Sequence, residues 1–236
     1  MYRFLGTVQI SLIGFFAVSI WTRNFSLGQT SMNNQVYPLF SCPLVICGER
    51  YSFSDTERQF LAALEMAGNV GNLMSKNDRV LDSEELSALR RFVDKNILAY
   101  KKDLLRVAND NEIYVTQSWV NRSATGEFHP RHRHPNSIIS GVLFLDDNSD
   151  QSLPAIRFHR GSDMFPLVLK FEELTDFNAR SKEFDPDEGM LVLFPSLLEH
   201  EVDKNSSDRV RSSLSFNTFV RGNIGGKSHL TEVDVF

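Results

Sequence analysis

Phe128-His-Pro-Arg-His-Arg-His-Pro-Asn-Ser-Ile-Ile-Ser-Gly-Val-Leu-Phe-Leu145 is answered downstream by Gly189-Met-Leu-Val-Leu-Phe-Pro-Ser-Leu-Leu-Glu-His200. Together they read as a metal site carried on β-strands. Residues two apart in an extended strand share a face, so His132 and His134 are placed to offer two imidazoles to one ion. His200 supplies a third from a distant strand. Neutral imidazole suits iron, zinc, copper and nickel, whereas magnesium and calcium select oxygen, so the histidines restrict the metal without naming it. Three of the six histidines of the chain lie between positions 129 and 134, a clustering that a solvated basic loop does not require.

Working outward, the apolar run after Ser137 and the one before Pro195 are short and β-rich. Similar runs cover 113–120, 155–158, 166–171 and 210–220, separated by Asp-, Asn-, Gly- and Ser-rich connections. Helical signals come earlier. Ser54-Asp-Thr-Glu57 has the form of a capping box and predicts a helix from Asp55 to about Ala67. Asp82-Ser-Glu-Glu85 repeats the signal, and Leu86, Leu89, Val93, Ile97, Tyr100 and Leu104 recur at three- and four-residue steps, predicting a second helix over 83–106. Helices first and strands afterwards predict an α+β domain in which helices buttress one face of an antiparallel sandwich or barrel. The predicted organisation is an N-terminal segment over 1–35, a domain over 36–222 and a C-terminal tail over 223–236.

Composition bounds the remaining possibilities. With 236 residues the chain can form one large β domain with a helical appendage. A formal net charge of -5 with interspersed signs offers no basic stripe, so a nucleic-acid partner is not expected. Cys42 and Cys47, the two cysteines, match neither a zinc-finger spacing nor a disulfide framework and read as reduced thiols. The stretch from Leu5 to Trp21 is largely apolar after Arg3, as in a secretory leader or anchor. It also holds Thr7, Gln9 and Ser11 and lacks a clear small-x-small cleavage site, so an extension packed on the domain stands beside that reading.

At this point the chain resembles the iron(II)- and 2-oxoglutarate-dependent oxygenases, specifically the branch found in marine phages and bacteria. The resemblance spans roughly 37–222. It rests on Ser118-Trp-Val-Asn121, His129-Pro-Arg-His-Arg-His-Pro-Asn-Ser137, Ser140-Gly-Val-Leu-Phe-Leu145, Ile156-Arg-Phe-His159, Glu188 through His200, and Arg211-Ser-Ser-Leu-Ser-Phe-Asn217. It implies a double-stranded β-helix, or cupin-like jelly roll, with N-terminal supporting helices and a metal at one open end. It also implies that His132, His134 and His200 hold iron(II), that Arg211 binds the distal carboxylate of 2-oxoglutarate, and that Ser213 assists it. A guanidinium fork suits bidentate carboxylate binding, and a hydroxyl two residues along a strand shares its face. Arg209 shares that face too, so periodicity alone leaves the choice of arginine open. Asn121 and Asn217, with Trp119, Ser137 and Ser140, fall on strands beside these positions and are candidate groups of the cosubstrate pocket.

The resemblance implies a dioxygenase that consumes O2 and 2-oxoglutarate and hydroxylates a substrate with release of succinate and CO2. Most such sites use two histidines and one carboxylate; here His134 stands at the carboxylate position, which leaves iron(II) without an anionic protein ligand. Cupins are the alternative within the same architecture. Gly126, His132 and His134 fit their first motif, and Gly189, Pro195 and His200 fit their second. Ile138 and Ile139 stand where a glutamate belongs, Leu197 replaces a glycine and Lys204 an asparagine. A non-catalytic metal-binding jelly-roll module is the third reading, and it gives Arg211 no task. No motif encodes the substrate: protein side chains, free amino acids, nucleobases and small metabolites all fit. Iron(II) is easiest to keep reduced in the cytoplasm, the expected location, with export or membrane anchoring through residues 1–35 as the alternative.

Overall fold

The computed structural model describes residues 37, 39–162 and 166–236, so the leader-or-extension stretch 1–35 lies outside the described residues. The elements run β1 (Val45–Ile46), α1 (Asp55–Ala63), β2 (Met66–Gly68), β3 (Leu73–Ser75), α2 (Ser87–Ala99), β4 (Glu112–Ser123), β5 (His129–His132) and β6 (Ile139–Phe144). They continue with β7 (Ile156–His159), β8 (Ser181–Phe184), β9 (Leu191–Pro195), β10 (His200–Val202), β11 (Arg211–Ile224) and β12 (Val233–Val235). Among the described residues, no helix is long and apolar enough to cross a membrane.

The strands form two antiparallel sheets. The larger has the order β1-β9-β6-β11-β4-β3-β2, with β12 added along β11; the smaller has the order β5-β10-β7-β8. This is a double-stranded β-helix, and alternation along its strands builds two cores. On β6 and β9, Ile139, Leu143, Leu191 and Leu193 face outward and, with Val120, Leu214 and Phe216, meet Leu61 of α1 and Leu89, Phe92, Val93 and Ile97 of α2. The intervening Val142, Phe144, Val192 and Phe194 face inward and meet Ile156, Phe158 and Val202 of the smaller sheet. Each such fully buried side chain contributes about 1.5–3 kcal/mol, so the helices are an integral wall of the domain.

Helix α1 starts where the capping box predicts. Ser54 Oγ accepts the Glu57 N–H at 3.3 Å, and Glu57 Oε2 accepts the Ser54 N–H at 2.8 Å. It ends earlier than expected, at Ala63, because Leu64 turns to an extended conformation and Met66–Gly68 pair with β3. The second signal, at Asp82–Glu85, makes no side-chain cap; two 3-10 turns lead into α2, whose last turn widens into a π-helical turn over Tyr100–Leu105 and stops at left-handed Arg106. Stretch 166–171, read as a strand, is an irregular exposed segment. Leu167 and Val168 are 70% and 87% exposed, so β-prone residues there found no neighbouring edge. Conversely β8, with its polar Ser-Lys-Glu-Phe sequence, pairs with β7. Residues 223–236 include β12, which pairs with Gly222–Ile224.

Candidate metal and cosubstrate site

The site lies between the sheets, with β5 and β10 on one side and the inward face of β4, β6 and β11 on the other. His132 and His200 are direct cross-strand partners on β5 and β10. His134 lies two residues past the last paired residue of β5, so strand alternation does not place it; its N–H donates to Ser196 O at 2.8 Å. One ring nitrogen from each of the three histidines falls within 4.8 Å of the others. Nε2 of His134 and Nε2 of His200 are 3.3 Å apart, the spacing of two nitrogens bound at about 2.1 Å to one ion.

Tautomers follow from the carbonyls behind the rings. His132 Nδ1 lies 2.7 Å from Pro130 O, and His200 Nδ1 lies 3.0 Å from Leu198 O. Each Nδ1–H therefore donates outward, and each Nε2 lone pair is turned to the centre. Burial holds all three rings neutral: it lowers His134 to about 4, with the His132 charge adding, and lowers His132 and, well below its ordinary value, His200. Neutral rings with inward lone pairs are the ligand-competent form. His129 is not among the three. It stacks on His132 at 4.3 Å and 13°, opposite Val202, and burial aided by His132 and Arg211 lowers it to about 3.

Strand β11 supplies the opposite wall. Its Leu214 and Phe216 point to the helices, which turns Arg211, Ser213, Ser215 and Asn217 inward. Arg211 is 4% exposed. Its Nε donates to Pro154 O at 3.0 Å, its guanidinium lies 5.3 Å from the centre of the Phe144 ring, and its buried Nη2 has no partner among the described residues. Burial lowers its pKa to about 10, opposed by Asp146, so it stays charged at neutral pH. A buried cation with an unmet donor is costly unless an anion meets it. Arg209, which periodicity could not separate from Arg211, is committed elsewhere: it pairs with Asp150 at 2.8 Å and donates to Asp147 O at 2.5 Å.

Ser213 is buried in register between Asn121 and Phe144. Asn121 Nδ2 donates to Ser215 Oγ at 3.2 Å, and its Oδ1 is buried without a partner among the described residues. Exchanging the two amide atoms would let Ser215 donate to Oδ1 and leave Nδ2 as the buried donor without a partner. Asn217 stands apart, six residues or about 20 Å along β11 from Arg211, where Ser140 Oγ lies 2.8 Å from its Oδ1. Trp119 borders His134, with ring centres 5.8 Å apart. Sequence reasoning did not single out Ser196 as a contact of His134, because a serine in a turn carries no distinguishing signal.

The family model described as "Putative 2OG-Fe(II) oxygenase" matches residues 117–217, the stretch holding all three histidines and Arg211. Over that stretch, 101 of its 236 residues, the chain is similar to the 2OG-Fe(II) oxygenases. A comparison with curated proteins found no match. Among solved structures, HygX from Streptomyces hygroscopicus with nickel, 2-oxoglutarate and hygromycin B bound is similar at 13% identity and TM-score 0.54, over 75% of this chain and 83% of that one. The non-heme alpha ketoglutarate dependent carbocyclase SnoK from nogalamycin biosynthesis is similar at 14% identity and TM-score 0.52, over 83% of this chain and 89% of that one. At these identities the likeness shows the shared fold.

Proposed function

We propose that His132, His134 and His200 hold iron(II), and that Arg211 with Ser213 holds the far carboxylate of 2-oxoglutarate, in an enzyme that hydroxylates a small molecule or a protein side chain. The observation that carries this reading is the buried Arg211 Nη2 without a partner among the described residues, on the inward face of β11 and close enough to act on His129, which stacks on His132. When bound, iron(II) and 2-oxoglutarate supply O2 activation coupled to oxidative decarboxylation, yielding succinate and CO2.

The protein's own part is binding, charge balance and exclusion of water. The outward Nδ1–H bonds to Pro130 and Leu198 orient His132 and His200 and make their Nε2 atoms better donors. With three neutral ligands, no side-chain anion offsets a divalent cation, so the negative charge comes from the cosubstrate. Metal and 2-oxoglutarate are therefore expected to bind synergistically, each weaker alone. Phe144, Phe158 and Phe194 line the apolar interior, and Phe158 and Phe194 pack on His200 with ring centres 5.6 and 4.8 Å away. That low-dielectric wall strengthens the Arg211 pairing. In this reading Asn217 does not touch cosubstrate and instead orients Ser140, and a reducing, cytoplasmic setting suits both iron(II) and the free thiols of Cys42 and Cys47.

The test is an anaerobic titration of apoprotein with iron(II) and 2-oxoglutarate, monitored by visible absorption. A charge-transfer band that needs both components is expected, and Arg211→Ala should weaken cosubstrate binding about 100-fold while metal binding persists. Tight metal binding with no band would favour the cupin or structural-metal reading.

A further inference from the structure

His132 and His200 are positioned by the β5–β10 ladder, but His134 is not. It sits in the 133–138 connection, which turns through Asn136 at φ 58° before entering β6. Something outside the ladder must bring its Nε2 to His200. The contacts of one residue converge on this task. Ser196 follows the last residue of β9 and belongs to the turn closed by Leu198 N–H to Pro195 O at 2.9 Å, which delivers His200 two residues later.

Every polar group of Ser196 engages the segment that carries His134. Its carbonyl accepts the His134 N–H at 2.8 Å, and its N–H donates to Ile138 O at 3.1 Å. Its hydroxyl donates to Ser137 Oγ at 2.7 Å and lies 2.9 Å from Ser140 Oγ. The hydroxyls form a chain from Ser140 through Ser196 to Ser137 and on to Ile139 O at 3.2 Å, with Asn217 Oδ1 2.8 Å from Ser140 Oγ at its other end. Ser137 Oγ also accepts the Thr218 N–H at 3.1 Å, which ties the chain to β11. Ser196 and Ser140 are each 1% exposed, so water does not compete for these bonds.

We infer that Ser196 is a positioning residue that sets the spacing between His134 and His200, its buried hydroxyl locking the off-strand ligand to the turn that presents the on-strand one. The inference rests on the reading of these histidines as metal ligands. Loss of the hydroxyl leaves both main-chain bonds and the β6–β9 pairing in place but removes the side-chain tie to Ser137, which loosens the 134–137 segment so that His134 samples positions that no longer converge with His200.

Cobalt(II) binding to the full chain tests this without turnover, because affinity and the visible ligand-field spectrum both report the ligand set. Ser196→Ala should weaken cobalt binding about tenfold and alter the spectrum. Ser137→Ala, which removes the hydroxyl acceptor of the same bond, should act in the same direction and serves if Ser196→Ala does not fold. Ser75→Ala is the control for a merely structural loss. That hydroxyl is also 1% exposed and bonded, to Asn77 O at 2.7 Å and from Val120 N–H at 3.0 Å, but it stands away from the histidines. It should lower the melting temperature and leave cobalt affinity and spectrum unchanged. Wild-type affinity and spectrum in Ser196→Ala and Ser137→Ala would overturn the positioning role, as would an equal loss of affinity in Ser75→Ala. Wild-type cobalt binding in His134→Ala would overturn the ligand assignment itself, a separate failure.

Discussion

Strand β6 in the larger sheet buries all of its residues, whereas β5 in the smaller sheet buries none of them fully. The contrast extends to their neighbours. β11 runs 14 residues and is backed by helices, while β5, β10, β7 and β8 run 3 or 4 residues each. The outer surface of the smaller sheet is laced by ion pairs, with Arg157 meeting Glu183, Glu201 and Asp203, and Arg131 meeting Glu199. Most of the packing and two of the three clustered imidazoles thus lie on different sheets. The long, doubly packed sheet supplies most of the buried apolar area, and the short polar one carries two of the three imidazoles on its strands. A functional sheet so thin can hold histidines because the other sheet stabilises the fold without it.

That division can be broken by experiment. Phe216→Ala removes a fully buried ring from the helix-backed core and should cost about 3–5 kcal/mol in denaturant unfolding. Metal affinity of the molecules that remain folded should not change; a parallel loss would mean that the two sheets do not act separately. His200→Ala should do the reverse, weakening metal binding at least about 100-fold, since even residues that merely support ligands are worth 10–100-fold. Its apoprotein should melt within a few degrees of the wild type in calorimetry. The smallest effect is expected for Arg157→Ala, under about 1 kcal/mol, because its pairs are partly exposed and each such bridge is worth little. A loss above about 2 kcal/mol in the same unfolding assay would show that ion pairs, not the Phe158 and Val202 packing, hold the smaller sheet.

The same division explains what could be read from the sequence. β6, β9 and β11 announce themselves as short runs rich in Val, Ile, Leu and Phe between turn residues, and α1 by its capping box. β5, β8 and β10 do not, because His-Pro-Arg-His, Ser-Lys-Glu-Phe and His-Glu-Val carry too few apolar residues for a period to register. The apolar run at 166–171 misled for the opposite reason: strand-forming residues need an edge to pair with, and composition does not say whether one is near. The three histidines were legible from type and spacing, although the strand argument that linked His132 to His134 holds for His132 alone. Arg209 and Arg211 share a strand parity, and burial separates them: one reaches surface Asp150, the other is enclosed with an unmet donor. The serine cluster was only half legible. Ser137 and Ser140 lie beside His132 and His134 in sequence, but Ser196 meets His134 only through folding.

Gly141 on β6 stands opposite Phe216 on β11, and a Cβ there would lie 2.2 Å from the ring. The two positions therefore share one volume, which glycine leaves to the aromatic ring. A side chain at 141 and a full ring at 216 exclude one another, so substitutions at the two positions are expected to be non-additive: a larger residue at 141 is tolerable only with a shorter side chain at 216.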